Sequence, residues 1–135
     1  MPDAGTRTLL VASMPIADVL IVHGPSEPLA DGLAGRLADA LGAALGTPSG
    51  RLWVRLSGLP ASRYAENGAA LEAGEWPVFV TLLMHQPPPT AARAAHARRT
   101  ADAVAGALAR PVERVHVEYA PAAQGRVAFG GQLLE

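Results

Sequence analysis

The chain has 135 residues, half of them apolar, and a formal net charge of -1, which is enough material for one domain with a single core. So even a balance leaves neither a basic footprint for a nucleic-acid backbone nor a polybasic patch for a membrane surface. Cysteine and lysine are both absent and all 11 basic residues are arginine, so the α-amino group is the one amine able to act as base or nucleophile near neutral pH.

Residues 1–14 read as an N-terminal extension. The run Leu9-Leu10-Val11-Ala12 is too short for a secretory segment, and Pro15 and Asp18 interrupt its continuation. No later apolar stretch approaches the roughly 20 residues that span a bilayer, so a cytoplasmic protein is expected. Ala17 to His23 forms an apolar run of strand character, followed by a Pro-rich break. A helix is predicted next, with Ser26 as N-cap and Pro28 in the first turn. Leu29, Leu33, Leu37, Leu41 and Leu45 form its apolar stripe, and Gly46 and Pro48 end it. From Arg51 to Leu56 the pattern alternates. Leu52, Val54 and Leu56 are expected under the helix, and Trp53 and Arg55 on the opposite face.

The same order then recurs. LADALGAALGTPSGRLWVRL (residues 37–56) aligns with TADAVAGALARPVERVHVEY (residues 100–119) at an offset of 63, with matched Asp, Leu, Pro, Arg and Val positions. A strand is predicted from Val78 to His85. A helix follows, capped by Thr90 and running to about Ala109, buried along Ala94, Ala97, Ala101, Val104 and Leu108. Pro111 ends it. In the last strand, Arg114 to Tyr119, the residues Val115, Val117 and Tyr119 face inward and His116 and Glu118 outward. The chain thus reads as a single domain of two repeats, 15–73 and 74–135. A β-α-β crossover makes each strand pair parallel and puts its helix on one side. The expected class is α/β (α+β), a four-stranded sheet with both helices on one face. The other face, carrying Trp53, Arg55 and His116, calls for cover by further subunits.

MPIADVLIVHG (residues 14–24) resembles the start of 4-oxalocrotonate tautomerase-type subunits, and RVHVEYAPAAQGRVAFGGQLLE (residues 114–135) resembles their strand, hairpin and Gly-Gly ending. With the repeated unit, the resemblance to a fused two-repeat member of the tautomerase superfamily covers residues 14–135. It implies a cofactor-independent isomerase in which a proline exposed by methionine removal acts as the base for keto-enol proton transfer on a small carbonyl substrate, with no metal and in a homotrimer. Two prolines follow a methionine, Pro2 and Pro15, and these are the catalytic candidates. In a chain that starts at Met1 the Pro15 nitrogen is a tertiary amide. Chemistry then requires either a start at Met14 or a Pro2 amine folded back into the pocket.

The family's arginine positions hold Pro25 and Pro87 after the first strand of each copy, and Trp53 and His116 on the second. Loss of these arginines favours a substrate that is not a dicarboxylate. Arg55 can supply a cation or form an ion pair with a carboxylate such as Glu118. His85 falls where a fused relative places a substrate-binding cation, with His23 as its counterpart. Tyr64 matches the hairpin aromatic that shapes the family's pocket, and Phe129 lies near its second-copy counterpart, Val127. Arg63 and Arg126 occupy matched hairpin positions. The substrate-binding candidates are therefore Arg55, Trp53, Tyr64, His85, His116, Arg126 and Phe129. His96, among Arg93, Arg98, Arg99 and Asp102, reads as part of a solvated helix face. The four histidines lack metal-ligand spacing. The alternative functions are a non-catalytic structural or ligand-binding member with a blocked proline, and a lyase or cyclase using the same site.

Overall fold

A computed structural model describes residues 15–25 and 29–135. Strand β1 (Ile16–His23) leads to helix α1 (Leu33–Leu45) and strand β2 (Trp53–Pro60). Strand β3 (Val78–Leu83) leads to helix α2 (Thr90–Leu108) and strand β4 (Val115–Tyr119). A short hairpin, β5 (Ala128–Phe129) and β6 (Gln132–Leu133), closes the chain. The main sheet has the order β2-β1-β3-β4. β1 and β2 run parallel, as do β3 and β4, and the two units meet antiparallel through β1 and β3. Residues 63 apart are equivalent: Trp53 sits opposite Ile16 and His116 opposite Phe79.

Period-two alternation divides the sheet. Ala17, Val19 and Ile21 of β1, Val78, Val80 and Leu82 of β3, Leu52 just before β2 and Val115 at the start of β4 form one core with Leu33, Leu37, Leu41, Ala101 and Val104 of the helices. Leu37 and Leu41 are fully buried, each contributing about 1.5–3 kcal/mol of apolar burial. The opposite face has no helix. Trp53, Arg55, His116 and Glu118 are exposed on it, as the alternation requires.

Several boundaries differ from the expectation. Helix α1 starts at Leu33, because Gly32 takes a left-handed conformation (φ 81°) that turns the chain there, so Leu29 packs on the core from outside the helix. Ser26 and Pro28 lie outside the described residues. Thr90 is the first helical residue of α2 rather than its cap; the capping position is Pro89, and the Arg93 guanidinium donates two hydrogen bonds to the Pro88 carbonyl (3.0 and 2.8 Å). The buried stripe of α2 is His96, Thr100, Ala101, Val104 and Ala105, while Ala94 is exposed. β2 runs on to Pro60, and β3 stops at Leu83, short of His85.

Candidate functional site

Pro15 heads β1 and is buried. Its carbonyl accepts the Trp53 N–H (3.0 Å), which fixes it in the β2 register, and on its other side β1 meets the end of β3 through Ile16 and Leu83. Next to it opens a cleft of about 320 Å³ between the C-terminal end of α1 and the start of α2. Its walls include Pro15, Thr47, Met84, His85, Gln86 and His96. The lining mixes apolar groups with a few polar ones, the usual character of a small-molecule site.

Two histidines meet in this cleft. His85 follows β3, and its Nε2 lies 3.3 Å from the Glu135 backbone oxygen. His96 is 8% exposed, and its Nδ1 lies 2.6 Å from the Tyr119 hydroxyl on β4, with the two rings 5.6 Å apart. Burial, and secondarily the charge of Arg99, hold His96 below the usual histidine pKa, so its imidazole is neutral near pH 7. Burial holds the Tyr119 phenol above its usual value, against the opposing charges of Arg93 and Arg99. The Arg93 guanidinium stands 5.6 Å over the Tyr119 ring. The expectation of a solvated His96 is therefore corrected. His96, Thr100 and Val104 recur every four residues, and that polar-apolar stripe was the signal in the sequence that pointed inward.

Of the residues singled out in the sequence, Pro15 and His85 are brought together. Trp53, Phe129, Tyr64 and His116 gather on the helix-free face in two groups. Trp53, 41% exposed, meets Phe129 of the terminal hairpin edge-on at 5.6 Å. At the opposite end of the sheet Tyr64 packs on Phe79 (6.0 Å), and Phe79 on His116 (5.5 Å). The Tyr64 hydroxyl donates to Glu66 Oε2 (2.6 Å), and Arg114 donates to the same oxygen (2.8 Å). The Tyr64 hydrogen bond first, and then that of Arg114, holds the Glu66 carboxyl below the usual carboxylate range. Arg126 is exposed in the turn before the terminal hairpin, Arg63 is exposed at the end of the Ala61–Arg63 turn, and Pro2 lies outside the described residues.

Arg55 pairs with Asp18 on the neighbouring strand, Nε to Oδ1 at 2.5 Å and Nη2 to Oδ2 at 2.8 Å. Glu118 cannot be its partner, because β2 and β4 are opposite edges of the sheet. Glu118 instead accepts from the Thr81 hydroxyl (3.3 Å). Asp18 faces Arg55 and Thr81 in register, and Thr81 faces Glu118, so one polar row crosses the middle of this face. A smaller cleft of about 180 Å³, related to the first by the repeat, holds His23, Leu33 and Arg110. His23 Nδ1 lies 3.0 Å from the Gly24 carbonyl, and Arg110 is spent on the Trp76 and Val22 carbonyls at 2.7 and 3.0 Å. Among the described residues no three His, Asp or Glu side chains gather where they could hold a metal ion, and no helix is long and apolar enough to cross a membrane.

A scan against protein-family models and a search of curated proteins find no match. Solved structures do match. Pt0534 inactivated by 2-oxo-3-pentynoate superposes with a TM-score of 0.67 at 16% identity, over 87% of this chain and 94% of that one. The F6 fused 4-OT asymmetric trimer gives 0.65 at 20% identity, over 88% and 95%. The macrophage migration inhibitory factor of Oncomelania hupensis gives 0.64 at 20% identity, over 89% and 81%. Two parallel β-α-β units joined antiparallel, with both helices on one face, define a tautomerase-like α+β fold. Within that class, the fold is like that of the fused 4-OT structures.

Proposed function

We propose that the protein is a cofactor-independent tautomerase acting on a small carbonyl compound in the cleft beside Pro15. The observation that carries this reading is the burial of Pro15 at the wall of a cleft furnished with two histidines. A chain cut to begin at Pro15 presents a secondary amine there. Burial disfavours its ammonium form and moves its pKa toward the working pH, where it removes a proton from carbon next to the carbonyl. The proposal includes a homotrimer that covers the helix-free face, supported by the exposed Trp53 and by the trimeric state of fused 4-OT structures. It also has the protein working in the cytoplasm.

A second reading rests on the Met14–Pro15 peptide bond. While that bond is intact the Pro15 nitrogen has no basicity, and the cleft is then a binding site without catalysis. Exposure to 2-oxo-3-pentynoate, followed by peptide mass mapping, separates the two. The tautomerase reading expects one adduct, on an N-terminal proline and lost after prior acylation. A retained Met1 with no adduct anywhere favours the binding site.

A further inference from the structure

The cleft has a base in Pro15 only when its amine is free, and an enolising site needs a second group, one that holds the carbonyl oxygen as negative charge develops on it. The positions where the resembling family carries arginines do not supply it. Trp53 and His116 lie on the helix-free face, and neither lines the cleft. Arg55 is occupied by Asp18.

The His96–Tyr119 pair has the properties required. The Tyr119 phenol is half-buried, and His96 Nδ1, at 2.6 Å, is the acceptor that its hydrogen has among the described residues. With the phenol donating, Nδ1 is an acceptor and the imidazole proton is on Nε2. No buried side-chain nitrogen or oxygen of the described residues lacks a partner, so Nε2, which has none among those residues, is accessible, and His96 lines the cleft. The tautomer is thus set from below by a residue on a different element. A neutral imidazole is a proper electrophile for this task, since it donates a hydrogen bond to a forming enolate without surrendering its proton.

We propose that His96 is the oxygen-binding group of the cleft, its Nε2–H donating to the carbonyl oxygen of a 2-oxo acid or similar small carbonyl compound, with Tyr119 as the residue that positions it. This deepens the tautomerase reading and rests on it for the reaction. The base takes the proton from the carbon next to the carbonyl, and the C–H electron pair becomes the C=C bond as the carbonyl pair moves to oxygen. The enolate oxygen accepts from Nε2–H, and return of a proton to carbon restores the ketone. Nothing is oxidised, and His96 keeps its proton throughout.

The test uses the full chain labelled with ¹⁵N-histidine and titrated with pyruvate near neutral pH. The expected result is that His96 is found in the Nε2–H form and that its Nε2 signal alone among the four histidines moves strongly and saturably. His96→Leu weakens pyruvate binding about tenfold or more, the loss of one hydrogen bond to the carbonyl. His96→Gln, whose amide can replace Nε2–H, restores part of it. Tyr119→Phe leaves His96 present but mixes its tautomers, a signature that a merely structural contact would not produce. An Nδ1–H tautomer, an Nε2 signal indifferent to pyruvate, or equal binding by a folded His96→Leu protein overturns the proposal. These readouts need no turnover. A chain with a free Pro15 that binds through Nε2 yet fails to exchange protons refutes the tautomerase reading and leaves His96 as a binding group, whereas turnover with an indifferent Nε2 does the reverse.

Discussion

The Tyr119 hydroxyl on β4 lies 2.6 Å from His96 Nδ1 on α2, so one hydrogen bond ties an edge strand to the helix that walls the cleft. Burial holds His96 below its ordinary pKa of 6.5. The groups around it are Tyr119 from β4, Arg93 and Arg99 from its own helix, and His85 across the cleft. With a depressed folded pKa the unfolded chain binds the extra proton first. His96 therefore costs no stability above the unfolded value and lowers stability as pH falls from about 6.5 toward the folded pKa. Urea unfolding between pH 7.5 and 5 should show this decline, and His96→Gln should flatten it. A decline of equal slope in the variant would place its origin elsewhere.

The C-terminal ends of the two helices invite a substitution that stabilises. Gly46 closes α1 at φ 65°, and Ala109, its equivalent 63 residues on, closes α2 at φ 52°. A left-handed alanine costs roughly 1–2 kcal/mol that glycine avoids. Ala109→Gly is expected to raise stability by about 1 kcal/mol, visible as a higher urea midpoint at unchanged m-value. No gain, or a loss, would show that the strain is relieved in some other way.

Gly24 follows β1 against the Trp76 ring, and an added Cβ would stand 2.7 Å from the ring carbon Cη2. The ring must shift to admit it. Gly24→Ala should therefore destabilise by about 1–3 kcal/mol through overpacking, with a matching change in Trp76 fluorescence. A variant as stable as the parent, with unchanged fluorescence, would contradict the packing described.

The helix-free face carries Trp53, the Asp18–Arg55 pair and the Thr81–Glu118 contact in one continuous patch. If a homotrimer covers it, Trp53→Glu places a charge in that interface. Light scattering at micromolar concentration should then give three chain masses for the parent and a shift toward one for the variant. A parent that is monomeric at that concentration refutes the assembly. Asp18→Asn is expected to weaken the assembly less, because an exposed ion pair adds little and is screened by salt.

The fold was legible where a period was strong. The leucines from Leu33 to Leu45 and the alternation in Leu52–Leu56 and Val115–Tyr119 indicate which face of each element is buried, and the 63-residue repeat then gives two parallel strand pairs with both helices on one face. The start of α1 was misread because Leu29 continues the four-residue spacing although Gly32 has already turned the chain. Fewer of the site relations were legible. Pro15 and His85 could be placed at strand ends, but the pairing of Arg55 depends on β1 lying between β2 and β3, a neighbour relation no local pattern encodes. His96 was masked by three arginines within three residues of it, Arg93, Arg98 and Arg99. Those side chains suggest solvent, yet the helix turns the imidazole inward along the line of Thr100 and Val104.

The most direct test of the proposed function is deuterium incorporation at C3 of pyruvate and of bulkier 2-oxo acids in D₂O, followed by proton NMR. The chain beginning at Pro15 is compared with the chain beginning at Met1 after the mass of each N-terminus is established. Proline-based tautomerisation requires exchange above the buffer rate by the chain with a free Pro15, abolished by acylation of its amine, and much slower exchange where Met14 still blocks that nitrogen. Exchange no faster than buffer across the series by a folded chain with a free Pro15, or exchange untouched by acylation, would contradict it.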